Sequence, residues 1–302
     1  MRHFVAVAEE LHFGRAALRL HIAQPPLSQS IRRLEADLGV ELFDRSRRSV
    51  ELTGAGKVFL AEARRTLKHA DLARKMAQRE ASRAPETRVS FIGPALYRVL
   101  PALLIRYRAA APEVSVRLSE AASPIQMEGI LAGDFDIGFV SSGTEIRDEC
   151  ETLLMERTPA VAAVPGDWKL AEQKSTSLSQ LAEQPFIRPP QKHTAQSSDV
   201  LNLFKQVGVM PEVVQESSQT NTTLSLVGAG VGCSLVMATA ALSQPRNVKF
   251  LPLDDSISER HWELIMVWNR EHIGKLAADF IATAKEYVRE NILALGLADN
   301  HG

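Results

Sequence analysis

HFGRAALRLHIAQPPLSQSIRRLEADLGVELFDRSRR, residues 12–48, is the stretch whose reading decides what kind of chain this is. Phe13 to Leu20 places Ala16, Ala17 and Leu20 on one face, which predicts a short, closely packable helix. A break follows at His21 to Ala23. Gln24-Pro25-Pro26 then opens a second helix, since first-turn N–H groups have no partner inside the helix and proline loses nothing there. Leu27, Ile31, Leu34 and Leu38 fall at spacings of four, three and four and predict one buried face. Gly39 is the stop.

Two short helices joined by a tight turn, with Gln, Ser and Arg at the start of the second, are what a helix-turn-helix reader of the DNA major groove requires. Gln24, Pro25, Pro26, Ser28 and Gln29 are the candidates for the groove, because glutamine has the donor and acceptor geometry for base edges. Arg32 and Arg33, with Arg45 and Arg48 in the turn-like run after Leu42-Phe43, are candidates for phosphate or the minor groove. Val50-Glu51-Leu52 returns as the second side of a basic wing. A solvated charged face is the competing reading for any one of these arginines taken alone.

The run Gln24 to Gly56, QPPLSQSIRRLEADLGVELFDRSRRSVELTGAG, resembles the most specific motif of the LysR-type transcriptional regulators. The resemblance implies an α/β protein with an N-terminal all-α winged helix-turn-helix, a long linker helix and a two-lobed α/β effector domain like the periplasmic binding proteins. It implies a DNA operator and a small-molecule effector as ligands, and a homodimer or homotetramer that contacts RNA polymerase is expected with them; a cytoplasmic location is expected because nothing in the sequence directs the chain elsewhere. Family members usually begin several residues before the position of Arg2, so the first helix, Met1 to Glu10, is expected to be clipped and frayed at its start.

Composition agrees with a chain of two to three domains. It has 302 residues, 45% of them hydrophobic, and a formal net charge of −1. No apolar run approaches the roughly 18 residues that span a bilayer, and no apolar leader precedes a cleavage site, so no membrane association is expected. Cys150 and Cys233 show no metal-ligand spacing; both are expected to be reduced and structural, and no cofactor or metal is expected. Charge is uneven: residues 1–84 hold 16 Lys and Arg against 10 Asp and Glu, whereas the remainder holds 19 against 26. Residues 1–53 alone are nearly balanced, 8 against 7, so DNA affinity should depend on placed arginines and on more than one copy per complex.

Residues 1–53 are therefore the winged domain, and 54–83 a linker and dimerisation helix. In that helix Phe59, Ala63, Leu67, Ala70, Ala73 and Ala77 form a narrow apolar seam suited to a second helix. Residues 88–302 form the effector domain, with lobe I at about 88–160 plus 269–302 and lobe II at about 161–268. Short apolar runs alternate there with helical ones, which predicts a parallel sheet: strands Arg88–Ile92, Val114–Ser119 and Asp136–Val140 around helices Pro94–Ala110 and Pro124–Leu131. A second unit runs through strands near Ala160–Val164, Phe186–Arg188, Val213–Glu216 and Val231–Val236. Strand His261–Trp268 and helix Ile273–Leu295 close the chain, and the resemblance implies that they complete the first unit, with crossovers near Val140–Arg157 and Leu253–Arg270.

Ligands of open α/β sheets bind beyond the carboxyl ends of the strands, where helix N-termini point. This picks out Gly93, Pro94, Ser123, Arg188, His193, Thr194, Asn221 and Thr222, with Arg188 or His193 supplying charge for an organic anion. Ser123 and the run Gln219–Thr222 have an alternative reading as plain helix caps. In the family the first of these positions often carries hydroxyl residues, so Gly93-Pro94 is a departure. No GxSxG, GxxxxGK[ST] or HExxH motif is present, and Gly228-Ala229-Gly230-Val231-Gly232 precedes a strand where a nucleotide loop would follow one. VGAGVGCSLV matches the family pattern for a helix-to-strand turn, although Met237 stands where many relatives have proline. The chain is thus expected to be an effector-controlled regulator and not an enzyme. The rival is a metabolite-binding protein or enzyme with a fused helical domain.

Overall fold

The computed structural model describes residues 1–44, 50–80, 86–190, 195–254 and 261–297. The chain divides into two compact units, Met1–Ser82 and Arg83–Gly302.

The first unit contains α1 (Arg2–Glu10), α2 (Phe13–Arg19), α3 (Gln24–Leu38), the wing strands β1 (Phe43–Asp44) and β2 (Glu51–Leu52), and α4 (Gly54–Glu80). Helix α1 is well seated, not frayed: Phe4 and Val7 are fully buried. Phe4 meets the rings of Phe43 and Phe59 at 5.3 and 5.0 Å, and Phe13 meets Phe43 at 5.9 Å. This aromatic cluster joins the first two helices, the wing and α4. Helix α3 starts at the two prolines and ends at Gly39, whose φ of 68° is left-handed. Leu27 and Ile31 are buried as expected, but Leu38 is exposed, because the last turn of α3 extends past the small core. The Glu35 carboxylate accepts from the N–H groups of Leu42 (2.9 Å) and Phe43 (3.2 Å), which fixes the start of the wing to the last turn of α3.

Thr53 anchors the start of α4: its hydroxyl donates to the Glu41 carbonyl and accepts from the Gly56 N–H. A Cβ at Gly56 would lie 2.1 Å from the Leu42 carbonyl oxygen, so only glycine permits this approach. Phe59 and Ala63, read in the sequence as the start of a dimer seam, are used inside this unit instead. Phe59 packs on Phe4 and Ala63 is buried, because the first half of α4 lies along α1. Leu67 is half-buried, and Ala70, Ala73 and Ala77 are exposed.

The second unit continues with β3 (Glu86–Phe91), a 3-10 turn (Gly93–Leu96), α5 (Val99–Ala110), β4 (Ser115–Glu120), α6 (Ser123–Leu131), β5 (Ile137–Ser141) and the 16-residue strand β6 (Cys150–Pro165). Helix α7 (Leu178–Ala182), β7 (Phe186–Arg188), α8 (Ala195–Gln206), β8 (Val213–Glu216), α9 (Thr220–Gly228), β9 (Ser234–Met237), β10 (Val248–Pro252), β11 (His261–Asn269) and α10 (Lys275–Glu290) follow. The first lobe has β4, β3 and β5 in parallel, as expected. The expected single helix Pro94–Ala110 is broken at Tyr97-Arg98 into a 3-10 turn and α5.

Strand β6 serves both lobes: Cys150–Pro159 pairs with β11, and Val161–Pro165 pairs with β10, with β9 joining from Ala160. The first crossover is thus a continuous strand rather than a loop. Strand β11 hydrogen-bonds between β5 and the first half of β6 and so completes lobe I, as the resemblance implies; the boundary that left 161–268 in lobe II is corrected to end before His261. The chain is still in lobe II at Leu253 and already in lobe I at His261, so the return passage falls within the expected range Leu253–Arg270. Lobe II also has a strand missed in the sequence, β10, and a parallel pair β7 and β8 linked to β9 through Cys233. Among the described residues no helix is long and apolar enough to cross a membrane.

Candidate functional site

The polar row at the start of α3 faces outward. Gln24, Pro25, Pro26, Gln29, Arg32 and Arg33 are exposed, and Ser28 is half-buried. Leu27 and Ile31, on the opposite side, are fixed in the core and determine which way that row points. A bond between His3 Nδ1 and Ser30 Oγ at 2.8 Å ties α3 to α1, and the Ser30 hydroxyl also donates to the Leu27 carbonyl. The N-cap Ala23 gives α3 no side-chain cap, and Pro25 and Pro26 bring no N–H to its first turn, so a phosphate there would depend on side chains more than on backbone donors. Arg45 and Arg48 lie outside the described residues. Glu9 braces the unit from behind: hydrogen bonding by Arg64, helped by Arg19, holds its carboxyl below the usual value.

In the second unit a small cavity of about 40 Å³ opens at the carboxyl ends of the lobe II strands. Its lining includes Pro94 from the first lobe, and Pro189, Ser217, Ser218, Gln219, Thr220, Thr223 and Ser234 from the second. Ser217, Thr223 and Ser234 are buried. Their hydroxyls donate to the carbonyls of Gln219 and, for Ser234, of Ile187, which leaves oxygen lone pairs for a ligand. Helix α9 begins at this wall, and no side chain caps it. None of the described residues lining the cavity is charged.

The sequence-predicted effector residues are dispersed relative to this cavity. Pro94 lines it, and Gly93 is buried beside it, with the Glu120 carboxylate 3.6 Å from where a Cβ would stand. Asn221 and Thr222 are on the first turn of α9 but exposed, whereas Thr220 and Thr223 of the same turn face the cavity. Arg188 is engaged: its guanidinium pairs with Glu216 and donates to the Pro189 carbonyl. His193 and Thr194 lie outside the described residues. Ser123 is not a side-chain cap, since the N-cap of α6 is Ala122. It is buried, and its Oγ accepts from the Ser141 N–H at 3.3 Å and lies 3.4 Å from the Ser141 hydroxyl. Behind it Gln126, fully buried, accepts from Ser90 and donates to the carbonyls of Ala121 and Phe139. The residues that the sequence reading missed, Ser217, Ser218 and Thr223, belong to the hydroxyl-rich run SSQTNTT directly after β8, a visible signal whose facing alone was unreadable.

Among the described residues no group of His, Cys, Asp or Glu is arranged to hold a metal. Cys233 and Cys150 are both free thiols, and burial pushes their pKa up to about 12 and about 11, which makes them poor nucleophiles.

Residues 1–57 match the family model described as bacterial regulatory helix-turn-helix protein, lysR family, and residues 80–289 match the LysR substrate binding domain. The uncharacterized HTH-type transcriptional regulator YnfL of Escherichia coli K12 is 36% identical over 277 residues, 90% of this chain and 92% of that one. BenM of Acinetobacter baylyi is 34% identical over 259 residues, 84% of each chain. Full-length CbnR, solved in complex with its target DNA, is similar over 94% of this chain and 97% of that one, at 28% identity and a TM-score of 0.59. These relatives are named as regulators, not as enzymes. With its helix-turn-helix, its two-lobed α/β domain and these matches over nearly its whole length, the chain belongs to the LysR family of DNA-binding transcriptional regulators.

Proposed function

We propose that the chain controls transcription from the cytoplasm as a homo-oligomer. Gln24 to Gln29 would read bases and Arg32, Arg33 and the wing would hold phosphate, while a small organic anion occupies the cavity beside Pro94 and α9. The observation that carries the effector half is the wall itself: an uncapped helix start and a ring of hydroxyls converge on one cavity. The uncapped start of α9 and the hydroxyls of Ser218 and Thr220, which donate to no acceptor among the described residues, favour an anion over a cation, while Ser217, Thr223 and Ser234 offer only acceptors, suited to a donor group on the same ligand. BenM, whose effector is benzoate, gives this reading a precedent among relatives. Ligand would shift the lobes toward one arrangement, and the altered packing of subunits would change the spacing of the readers and their contact with RNA polymerase.

Pairing of chains would use α4 beyond the part already packed on α1, from Leu67 onward. Leu67→Asp should then yield monomers by light scattering at micromolar concentration, because an unpaired charge is costly at an apolar contact. A wild-type monomer would remove the pairing argument.

The test of the whole reading combines gel shifts on DNA upstream of the neighbouring genes with melting of the purified chain in a panel of carboxylates, benzoate included. Specific retardation and a saturable rise in melting temperature for at least one carboxylate are expected. Retardation with no response to any carboxylate, but with one to a cationic or neutral metabolite, would overturn the anion assignment.

A further inference from the structure

Two adjacent side chains at the break between the 3-10 turn and α5 reach in different directions, Tyr97 to the second lobe and Arg98 within the first. Tyr97 follows Pro94 by three residues, and its ring packs against the lobe II cluster that includes Val161, Leu224 and Val236. Its hydroxyl donates to Oδ1 of Asn221, on the first turn of α9, at 2.8 Å. Arg98 pairs with Glu156 at 3.3 Å and donates to the Ala294 carbonyl in the segment after α10.

Glu156 stands at a sensitive place in β6. It lies three residues before Pro159, the last residue paired with β11, and four before Ala160, the first paired with β9. A register shift falls at the same point: Leu264 faces Glu156, whereas Ile265 faces Leu154. Such bulges bend strands. The carboxyl is 1% exposed, and among the described residues neither of its oxygens has a hydrogen bond, nor has the buried Thr239 hydroxyl of lobe II. Burial raises its pKa, and the charge of Arg98 opposes the rise. A buried carboxylate held chiefly by one guanidinium depends strongly on where that guanidinium is.

We infer that Tyr97 and Arg98 form a clasp that couples the cleft wall at α9 to the strand on which the lobes turn. The Cα atoms of neighbouring residues are about 3.8 Å apart, so Tyr97 cannot be withdrawn from lobe II without moving the backbone that carries Arg98. A cleft that opens at α9 therefore loosens the pairing of Glu156, and a loosened Glu156 weakens the hold on α9. Such coupling is reciprocal. The clasp rests on the proposed effector reading only for what moves it in the cell; its geometry and its test need no effector.

The test is amide hydrogen exchange on the full-length chain, in wild type, Tyr97→Phe, Asn221→Ala, Glu156→Gln and the pair Tyr97→Phe with Glu156→Gln. Tyr97→Phe keeps the ring and removes only the hydroxyl, so it reads the same arm should Asn221→Ala fail to fold. Loss of the Tyr97 bond should quicken exchange about threefold to tenfold in residues 154–161 as well as in α9, the size expected for one neutral hydrogen bond. Glu156→Gln should act in reverse, quickening the first turn of α9, and the double variant should depart from additivity. Changes confined to α9 in one variant and to β6 in the other, with additive effects in the pair, would show two unrelated contacts and overturn the clasp. Failure of every carboxylate to bind would sink the anion assignment and leave this readout intact.

Discussion

Helices α3 and α9 both start without a side-chain cap and both carry glutamine and hydroxyl residues in or beside the first turn, yet they do opposite things with them. At α3 the polar residues are exposed on one face, with Arg32 and Arg33 beside them. At α9 Thr220 and Thr223 turn into a concavity together with Ser217 and Ser234, and the nearby Arg188 is neutralised by Glu216. The same donors thus suit a polyanion that approaches from outside in one unit and a small molecule that is enclosed in the other. Exposure against enclosure, and charge left free or paired, separate the two, not residue type.

The comparison breaks first if the reader is not rigid. Gly56→Ala would drive a Cβ into the Leu42 carbonyl and should destabilise the first unit by about 3 kcal/mol or more, with loss of DNA binding and little change at the cleft. Calorimetric melting that shows an unchanged first unit would contradict the close approach. At the cleft, Ser218→Ala should weaken effector binding by about 10- to 100-fold by calorimetry, the loss of one hydrogen bond to a charged ligand, with operator affinity unchanged. At the reader, Gln29→Ala should lose about 1–3 kcal/mol on the operator and little on random DNA. Arg32→Ala should weaken both and lower the salt slope by about one. Equal losses for Gln29→Ala on both DNAs would make it a backbone contact.

Smaller effects sharpen the contrast. Ser123→Ala should cost about 1–3 kcal/mol of stability, because the Ser141 N–H loses its partner in the interior, and should leave effector affinity within twofold or so. A large affinity loss instead would bring Ser123 into the site. Acid should act on the two units in opposite senses. The pKa of Glu9 is lowered in the folded state, so its contribution is present above the ordinary value of 4.5 and is lost as pH falls through the lower folded value. The pKa of Glu156 is raised, so its contribution is present below 4.5 and is lost as pH rises toward the higher folded value. Glu9→Gln and Glu156→Gln melts across this range should shift with opposite slopes, the Glu9 effect below about 1 kcal/mol because the pair is largely exposed.

The reader was legible almost residue by residue. Pro25-Pro26 and Gly39 bound α3 by backbone chemistry that acts locally, and Leu27 and Ile31 orient it through a helical period that any packing must respect. What failed there failed at long range. Leu38 could not be known to overhang the core, and Phe59 and Ala63 could not be assigned to α1 rather than to a second chain, because an apolar stripe does not name its partner.

The effector unit shows the converse. Its alternating strands and helices were readable, and so was the run SSQTNTT after β8, but a single turn of α9 sends Thr220 and Thr223 inward and Asn221 and Thr222 outward. That choice is made by how α9 lies on the sheet. The presence of β10, the length of β6 and the meeting of Tyr97 with Asn221 depend in the same way on contacts between residues far apart in the chain. The sequence by itself determined the helix-turn-helix and most of the order of elements, which follow from caps, periods and turn residues that act over a few positions, and it pointed to the family through the resemblance carried by Gln24 to Gly56. Only the tertiary structure decided which hydroxyls face the cleft, which arginine is already neutralised and which strand crosses between lobes, because pairing and burial are settled by distant parts of the chain and leave no local mark.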